Sequence, residues 1–190
     1  MAPRPFSHDE IRDPRAARIR LEANLARCRE AIARAARRAG RDPAGVALVA
    51  VTKYAGVDAV RLLHSLGLRD FGENTVQGAE SKIEAARDLQ GTRWHMIGHL
   101  QRNKVPRALQ LFASIHSIDS HRLAREVAAQ AAKRTLPVPG LYVEVNLGGE
   151  DQKTGLAESG LRELLAALLL DGSLAPRVLG LMAMAPYGPD

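Results

Sequence analysis

Val46-Ala47-Leu48-Val49-Ala50-Val51-Thr52 is a continuous apolar run of strand length, and Lys53-Tyr54-Ala55-Gly56 follows it. A run without polar alternation suits a strand covered on both faces, the usual condition in a parallel sheet. A dinucleotide fold would place Gly-x-Gly-x-x-Gly directly after such a strand, so the lysine-containing turn removes the main reason to propose one. Outward from this run the pattern is regular. A helical segment carries Val60, Leu63 and Leu66, then a second strand is expected over 69–73 and a helix over 76–89. A third strand over 93–97 is followed by a helix over 100–112, interrupted near Pro106. The fourth strand (114–118) leads to a helix over 121–134 with Leu123, Val127 and Ala131 on one face. A fifth strand (141–147), an apolar helix (158–170) and a sixth strand (178–185) complete the series.

Alternating strand and helix is the signature of parallel βα units, and two architectures share it: an open doubly wound sheet and a closed (β/α)8 barrel. Two further units would bring the chain near the roughly 250 residues typical of that barrel. The expected fold is therefore an α/β (β/α)8 TIM-type barrel truncated after its sixth strand, with an extra N-terminal helix. That helix is expected over 12–39, stopped by Gly40 and Pro43, with residues 1–11 flexible and 1–190 forming one domain.

Composition bounds the function. The chain has 190 residues, 27 basic and 21 acidic, a net charge of +6, with 46% apolar and 25% charged residues. These are the proportions of an ordinary globular chain rather than a disordered one. The single cysteine, Cys28, has no partner for a disulfide or a cysteine-rich metal site. No apolar run approaches the roughly 20 residues of a membrane span, and no secretory signal is apparent, so a cytoplasmic setting is expected.

The basic excess is local. Arg12, Arg15, Arg18, Arg20, Arg27, Arg29, Arg34, Arg37, Arg38 and Arg41 crowd the first quarter, interleaved with Ile19, Leu21, Leu25, Ala26, Ile32, Ala33 and Ala36 near helical spacing. This is either an electrostatic footprint for nucleic acid or a solvated helix face. The missing base-stacking aromatics favour the solvated face. Only five of the 27 basic residues are lysine: Lys53, Lys82, Lys104, Lys133 and Lys153. In an arginine-preferring chain each lysine is a candidate for chemistry that a permanently protonated guanidinium cannot perform, such as attack on a carbonyl.

Active sites of parallel βα folds lie at the carboxyl ends of the strands. Read in order, those ends carry Lys53, Glu73-Asn74, Gly98-His99, Ser117 with Asp119, Asn146 and Met182 to Met184. Alternation puts Val49, Val51 and Lys53 on one face of the first strand, and Tyr142, Glu144 and Asn146 on one face of the fifth. Lys53 then has two readings. It pairs with Glu144 or Glu73, or reaches solvent, as a structural lysine; or desolvation lowers its pKa and it forms a Schiff base with a carbonyl compound.

Leu48-Val49-Ala50-Val51-Thr52-Lys53, Phe71-Gly72-Glu73-Asn74 with Val76-Gln77, and Trp94-His95-Met96-Ile97-Gly98-His99-Leu100-Gln101-Arg102-Asn103-Lys104 resemble segments of the pyridoxal phosphate homeostasis proteins. His116-Ser117-Ile118-Asp119-Ser120, Val145-Asn146, Lys153-Thr154-Gly155 and Gly180-Leu181-Met182 follow in that family's order, so the resemblance runs from about Val46 to Met184. It implies a barrel like the N-terminal domain of alanine racemase, with pyridoxal 5′-phosphate held as a Schiff base on Lys53. It also implies that Asn74 and Met182 line the cofactor pocket, that Lys153 is a secondary contact, and that His95 is a pocket residue or a hydrogen-bonded core histidine. The implied role is intracellular cofactor homeostasis without catalytic turnover, by a monomer whose partners are the cofactor and PLP-dependent enzymes, with no metal. Three positions depart from the family pattern. Ala55 and Gly56 stand where a second lysine and a proline are common, and Glu144 stands where an uncharged residue is usual. The family's last two strands carry a phosphate cradle, which falls beyond Asp190. Two other functions share the residues: a Schiff-base enzyme (racemase-like or aldolase) using Glu144, His95 or Tyr54 as acid–base partner, and a nucleic-acid binder working through the arginine-rich helix.

Overall fold

The first helix begins where its capping chemistry dictates. In the computed structural model, which describes residues 13–147, 155–170 and 177–184, α1 (Pro14–Arg38) starts after Asp13, whose Oδ1 accepts from the N–H groups of Arg15 (3.0 Å) and Ala16 (3.1 Å). It ends at Gly40, φ +65°, with Arg41 N–H on Ala36 O (2.9 Å) and Gly40 N–H on Arg37 O (3.1 Å). These paired bonds are the glycine-dependent stop that satisfies the last free carbonyls. Expectations for 1–11, for Arg12 and for Lys153 fall outside the described residues.

The strands and helices alternate through β1 (Ala50–Val51), α2 (Val57–Ser65), β2 (Asp70–Glu73), α3 (Val76–Ala85), β3 (Arg93–Met96), α4 (Val105–Leu111), β4 (Ser114–Ile118), α5 (His121–Arg134), β5 (Gly140–Val145), α6 (Glu158–Leu170) and β6 (Val178–Ala183). The strands follow one another in sequence order within a six-stranded sheet. From β3 to β6 each pairing is parallel, with His95 opposite Ser114, Leu141 opposite Ile115 and Met182 opposite Glu144. The α/β class and the parallel sheet are as the apolar runs indicated.

Several limits shift by one or two residues, and three larger differences each have a physical reason. The strand expected over 46–52 is reduced to Ala50–Val51. A 3-10 turn over Pro43–Gly45, begun by the Asp42 side chain, occupies the approach, and β1 is the first strand of the sheet with a ladder on one side only. The helix expected to run to 89 stops at Ala85, because the chain turns through Leu89 (N–H on Ala86 O, 2.9 Å) towards Gly91 at φ +74°. Pro106 does not interrupt a helix. It lies in the first turn of α4, where its missing N–H has no partner to lose, and a separate 3-10 turn precedes it at Arg102–Lys104.

The chain divides into two compact units, Met1–Phe71 with Lys82–Thr92, and Gly72–Ser81 with Arg93–Asp190. In the first, Ala17, Leu25 and Ala36 of α1 are buried, as are Val60 and Phe71, while Ile19 of the expected apolar stripe is 59% exposed. The arginines of α1 are partly accounted for as a solvated face. Arg18 pairs with Glu22 (2.8 Å) and Arg34 with Glu30 (2.8 Å), and Arg29 donates to Leu66 O (3.5 Å). In the second unit the apolar face of the sheet (Trp94, Met96, Ile115, Leu141, Val143) is buried with Leu109, Leu123, Val127 and Leu164 of its helices. Burying each such side chain is worth about 1.5–3 kcal/mol. Among the described residues no helix is long and apolar enough to cross a membrane.

Candidate functional site

In the first unit β1 ends at Val51, which is 56% exposed; Thr52 after it is buried, and Lys53, in the turn that follows, is exposed. The chain then turns, with Ala55 N–H on Thr52 O (2.9 Å), and the same carbonyl accepts a charge-assisted bond from Lys82 Nζ (2.6 Å). Lys82 thereby ties the end of α3 to the turn that presents Lys53. The Lys53 ammonium lies 5.1 Å from the Tyr54 ring centroid, a cation–π contact worth about 0.5–1 kcal/mol at an exposed site. Of the two readings of Lys53, the desolvated amine is not what the structure shows: the side chain is exposed, at the end of a two-residue strand.

In the second unit, β2 and β3 end side by side, with Ile97 N–H on Glu73 O (2.9 Å). Asn74 is half-buried directly after β2, and Thr75 Oγ1 accepts from Gly78 N–H (3.1 Å) as α3 begins. Gly98 lies against the Asn74 backbone so closely that a Cβ would stand 2.8 Å from Asn74 Cα, which only glycine avoids. A cavity of about 220 Å³ opens there, walled by Val76, Met96 and Leu100 and carrying Asn74, Thr75 and Lys104 as polar groups. His99 Nδ1 stands 3.4 Å from Asp119 Oδ2, joining the loops after β3 and β4.

His95 and Met182 lie on one face of this unit's sheet. His95 Nδ1 bonds Ser114 Oγ (2.7 Å), and Ser114 Oγ bonds His116 Nε2 (2.8 Å). The two imidazoles meet edge to face at 5.5 Å, and His116 lies 4.5 Å from the Tyr142 ring. Burial, and to a smaller extent the charge of His95, holds the His116 pKa down at about 4, so the ring is neutral at neutral pH. Met182 is half-buried opposite the buried Glu144. Ser117 Oγ at the end of β4 is buried with no hydrogen-bond partner among the described residues. The structure thus gives His95 a hydrogen-bonded place in the sheet and puts Asn74 at the strand mouth beside a cavity. The His95–Ser114–His116–Tyr142 cluster was not anticipated. Its only signal in the sequence was the alternation Ser114-Ile115-His116, which sets a serine and a histidine on the face opposite a buried isoleucine.

In the first unit Lys53 offers an accessible amine. In the second, the cavity combines a neutral amide, a hydroxyl and a cation with apolar walls. Among the described residues no group of three or more His, Cys, Asp or Glu could hold a metal ion.

No family model matches the chain. It is 38% identical over 163 residues to the pyridoxal phosphate homeostasis protein of Aquifex aeolicus, covering 86% of this chain and 70% of that relative. PipY of Synechococcus elongatus, solved with PLP bound, matches it with a TM-score of 0.68 and 34% identity over 83% of this chain and 72% of that one. Alanine racemase from Streptomyces coelicolor matches with a TM-score of 0.65 at 19% identity, over 87% of this chain and 43% of the racemase, a likeness of fold alone.

Proposed function

This chain belongs to the pyridoxal phosphate homeostasis protein family, and we propose that it holds pyridoxal 5′-phosphate through Lys53 and serves intracellular homeostasis of that cofactor without catalytic turnover. The observation that carries the reading is the likeness to a relative solved with PLP bound, at 34% identity over 83% of this chain, together with an exposed lysine at the end of the first strand. In this reading the sheet belongs to a (β/α)8 barrel, the protein is a cytoplasmic monomer, and PLP-dependent enzymes are its partners.

The chemistry that the bound group supplies is an aldehyde open to amines and an electron-withdrawing pyridine ring. Lys53 provides the attachment amine, held at the strand mouth by the turn that Lys82 anchors through Thr52 O. In this reading Asn74, Met182 and His95 line the cofactor pocket. The acid–base candidates support a holding role rather than turnover. His95 is engaged with Ser114, Glu144 is only 4% exposed, and Tyr54 is 75% exposed beside Lys53.

The test is spectroscopic. The purified protein mixed with pyridoxal phosphate should develop an absorbance band near the edge of the visible, and Lys53→Ala should lack it. A band that persists in Lys53→Ala overturns the attachment point. Turnover of amino acids or aldol substrates that is lost in Glu144→Gln overturns the non-catalytic reading.

A further inference from the structure

A second cavity, of about 580 Å³, opens in the second unit where the loop after β3 meets the start of α5. It is lined by Arg102, His121, Arg122, Arg125, Glu126 and Ala129. Because β3 and β4 run parallel, this is the carboxyl edge of the sheet, the edge that carries ligands in parallel α/β folds. The cavity falls within the size range of small-molecule pockets, roughly 300–1,000 Å³.

Two arginines elsewhere in this unit have carboxylate partners: Arg107 pairs with Glu80, and Arg162 with Glu158 at 2.7 Å. Arg102, Arg122 and Arg125 have none among the described residues. The cavity's one carboxylate, Glu126, accepts from the Gln130 amide at 2.6 Å. His121 adds a ring whose Nε2 is buried with no hydrogen-bond partner among the described residues. A buried imidazole nitrogen left without a partner carries a free-energy cost that a ligand can relieve, and the exposed arginines around it supply the positive charge.

We propose that this cavity binds a phosphate monoester dianion, with Arg102, Arg122 and Arg125 as its ligands. Three guanidinium groups against one carboxylate leave two positive charges in excess, matching a dianion. The guanidinium fork suits the oxygens of a phosphate better than a point charge does. The concave shape favours a small anion over a nucleic-acid strand, which needs a groove with stacking aromatics, and the lining has none. The site does not depend on attachment at Lys53, since its ligand needs no aldehyde.

Glycerol 3-phosphate is the probe, titrated into the full chain at low salt and followed by calorimetry or NMR shifts. Saturable binding is expected, about tenfold or more weaker in Arg122→Gln and in Arg125→Gln, unchanged in Lys53→Ala, and absent for glycerol. Arg162→Gln removes the same charge elsewhere on the unit and should leave the affinity intact. Equal weakening in Arg162→Gln would show a diffuse electrostatic effect and overturn the site. So would absence of saturation up to about 10 mM with every variant folded, or tighter binding of an RNA oligonucleotide that glycerol 3-phosphate fails to displace.

Discussion

The end of the first strand and the sheet face from β3 to β6 are built on opposite principles. Around Lys53 there is a two-residue strand, an exposed side chain and one turn held by the Thr52 carbonyl. Between β3 and β4, His95, Ser114 and His116 are hydrogen-bonded to one another on a sheet whose other face is packed with Trp94, Ile115 and Leu141. The contrast separates two demands. An amine proposed to meet a soluble aldehyde needs access, whereas a polar cluster inside a sheet is held by pairing its donors and acceptors. Access and rigidity therefore sit in different parts of the chain.

Mutations can break that contrast, and the largest expected effect lies where the second unit is tightest. Gly98→Ala forces a Cβ into the Asn74 backbone and should cost about 1–3 kcal/mol in urea unfolding, as overpacking does. A cost below 0.5 kcal/mol, on the order of a surface change, would mean that the loop yields and that the close approach is not a constraint. Ser114→Ala removes the hydroxyl shared by His95 and His116 and should cost about 1–2 kcal/mol. A neutral outcome would mean that both rings find other partners.

The next effect depends on pH. His116 has a folded pKa of about 4 against an ordinary value of 6.5, so the unfolded chain binds more protons between those two values. Stability should fall as pH drops from 6.5 towards 4 and show no further loss from this group below 4. After allowance for its partial exposure the change should be about 2–4 °C in Tm. His116→Phe should flatten that slope, and an unchanged slope would place the titration elsewhere. The smallest effect belongs to the exposed region. Lys53→Ala should move Tm by less than about 1 °C, since little besides the Tyr54 contact is lost. A larger loss would make Lys53 a structural lysine and erase the difference between the two regions.

Legibility followed the same division. The limits of β4, α5 and α6 match the pattern of their residues because each is set locally: Ser120 caps α5 by accepting from Leu123 N–H (3.3 Å), and the apolar spacing continues to the end of the helix. Lys53, Asn74 and Met182 were legible as strand-end residues. The cofactor-binding role expected of them came from the resemblance and is the subject of the proposed experiment. The short β1 was not legible, because its length depends on how much of a distant neighbour is available to pair with it.

Sequence alone determined the alternation of strands and helices, the parallel sheet and the family. These follow from periods of two and 3.6 residues and from caps, all of which act within a few residues of chain. Tertiary structure alone decided that His116 is neutral, that Ser114 bridges two imidazoles, and that Arg102 shares a cavity with Arg122 and Arg125. Those properties depend on burial and on neighbours brought in from other strands and helices, and desolvation has no counterpart in the order of residues along a chain.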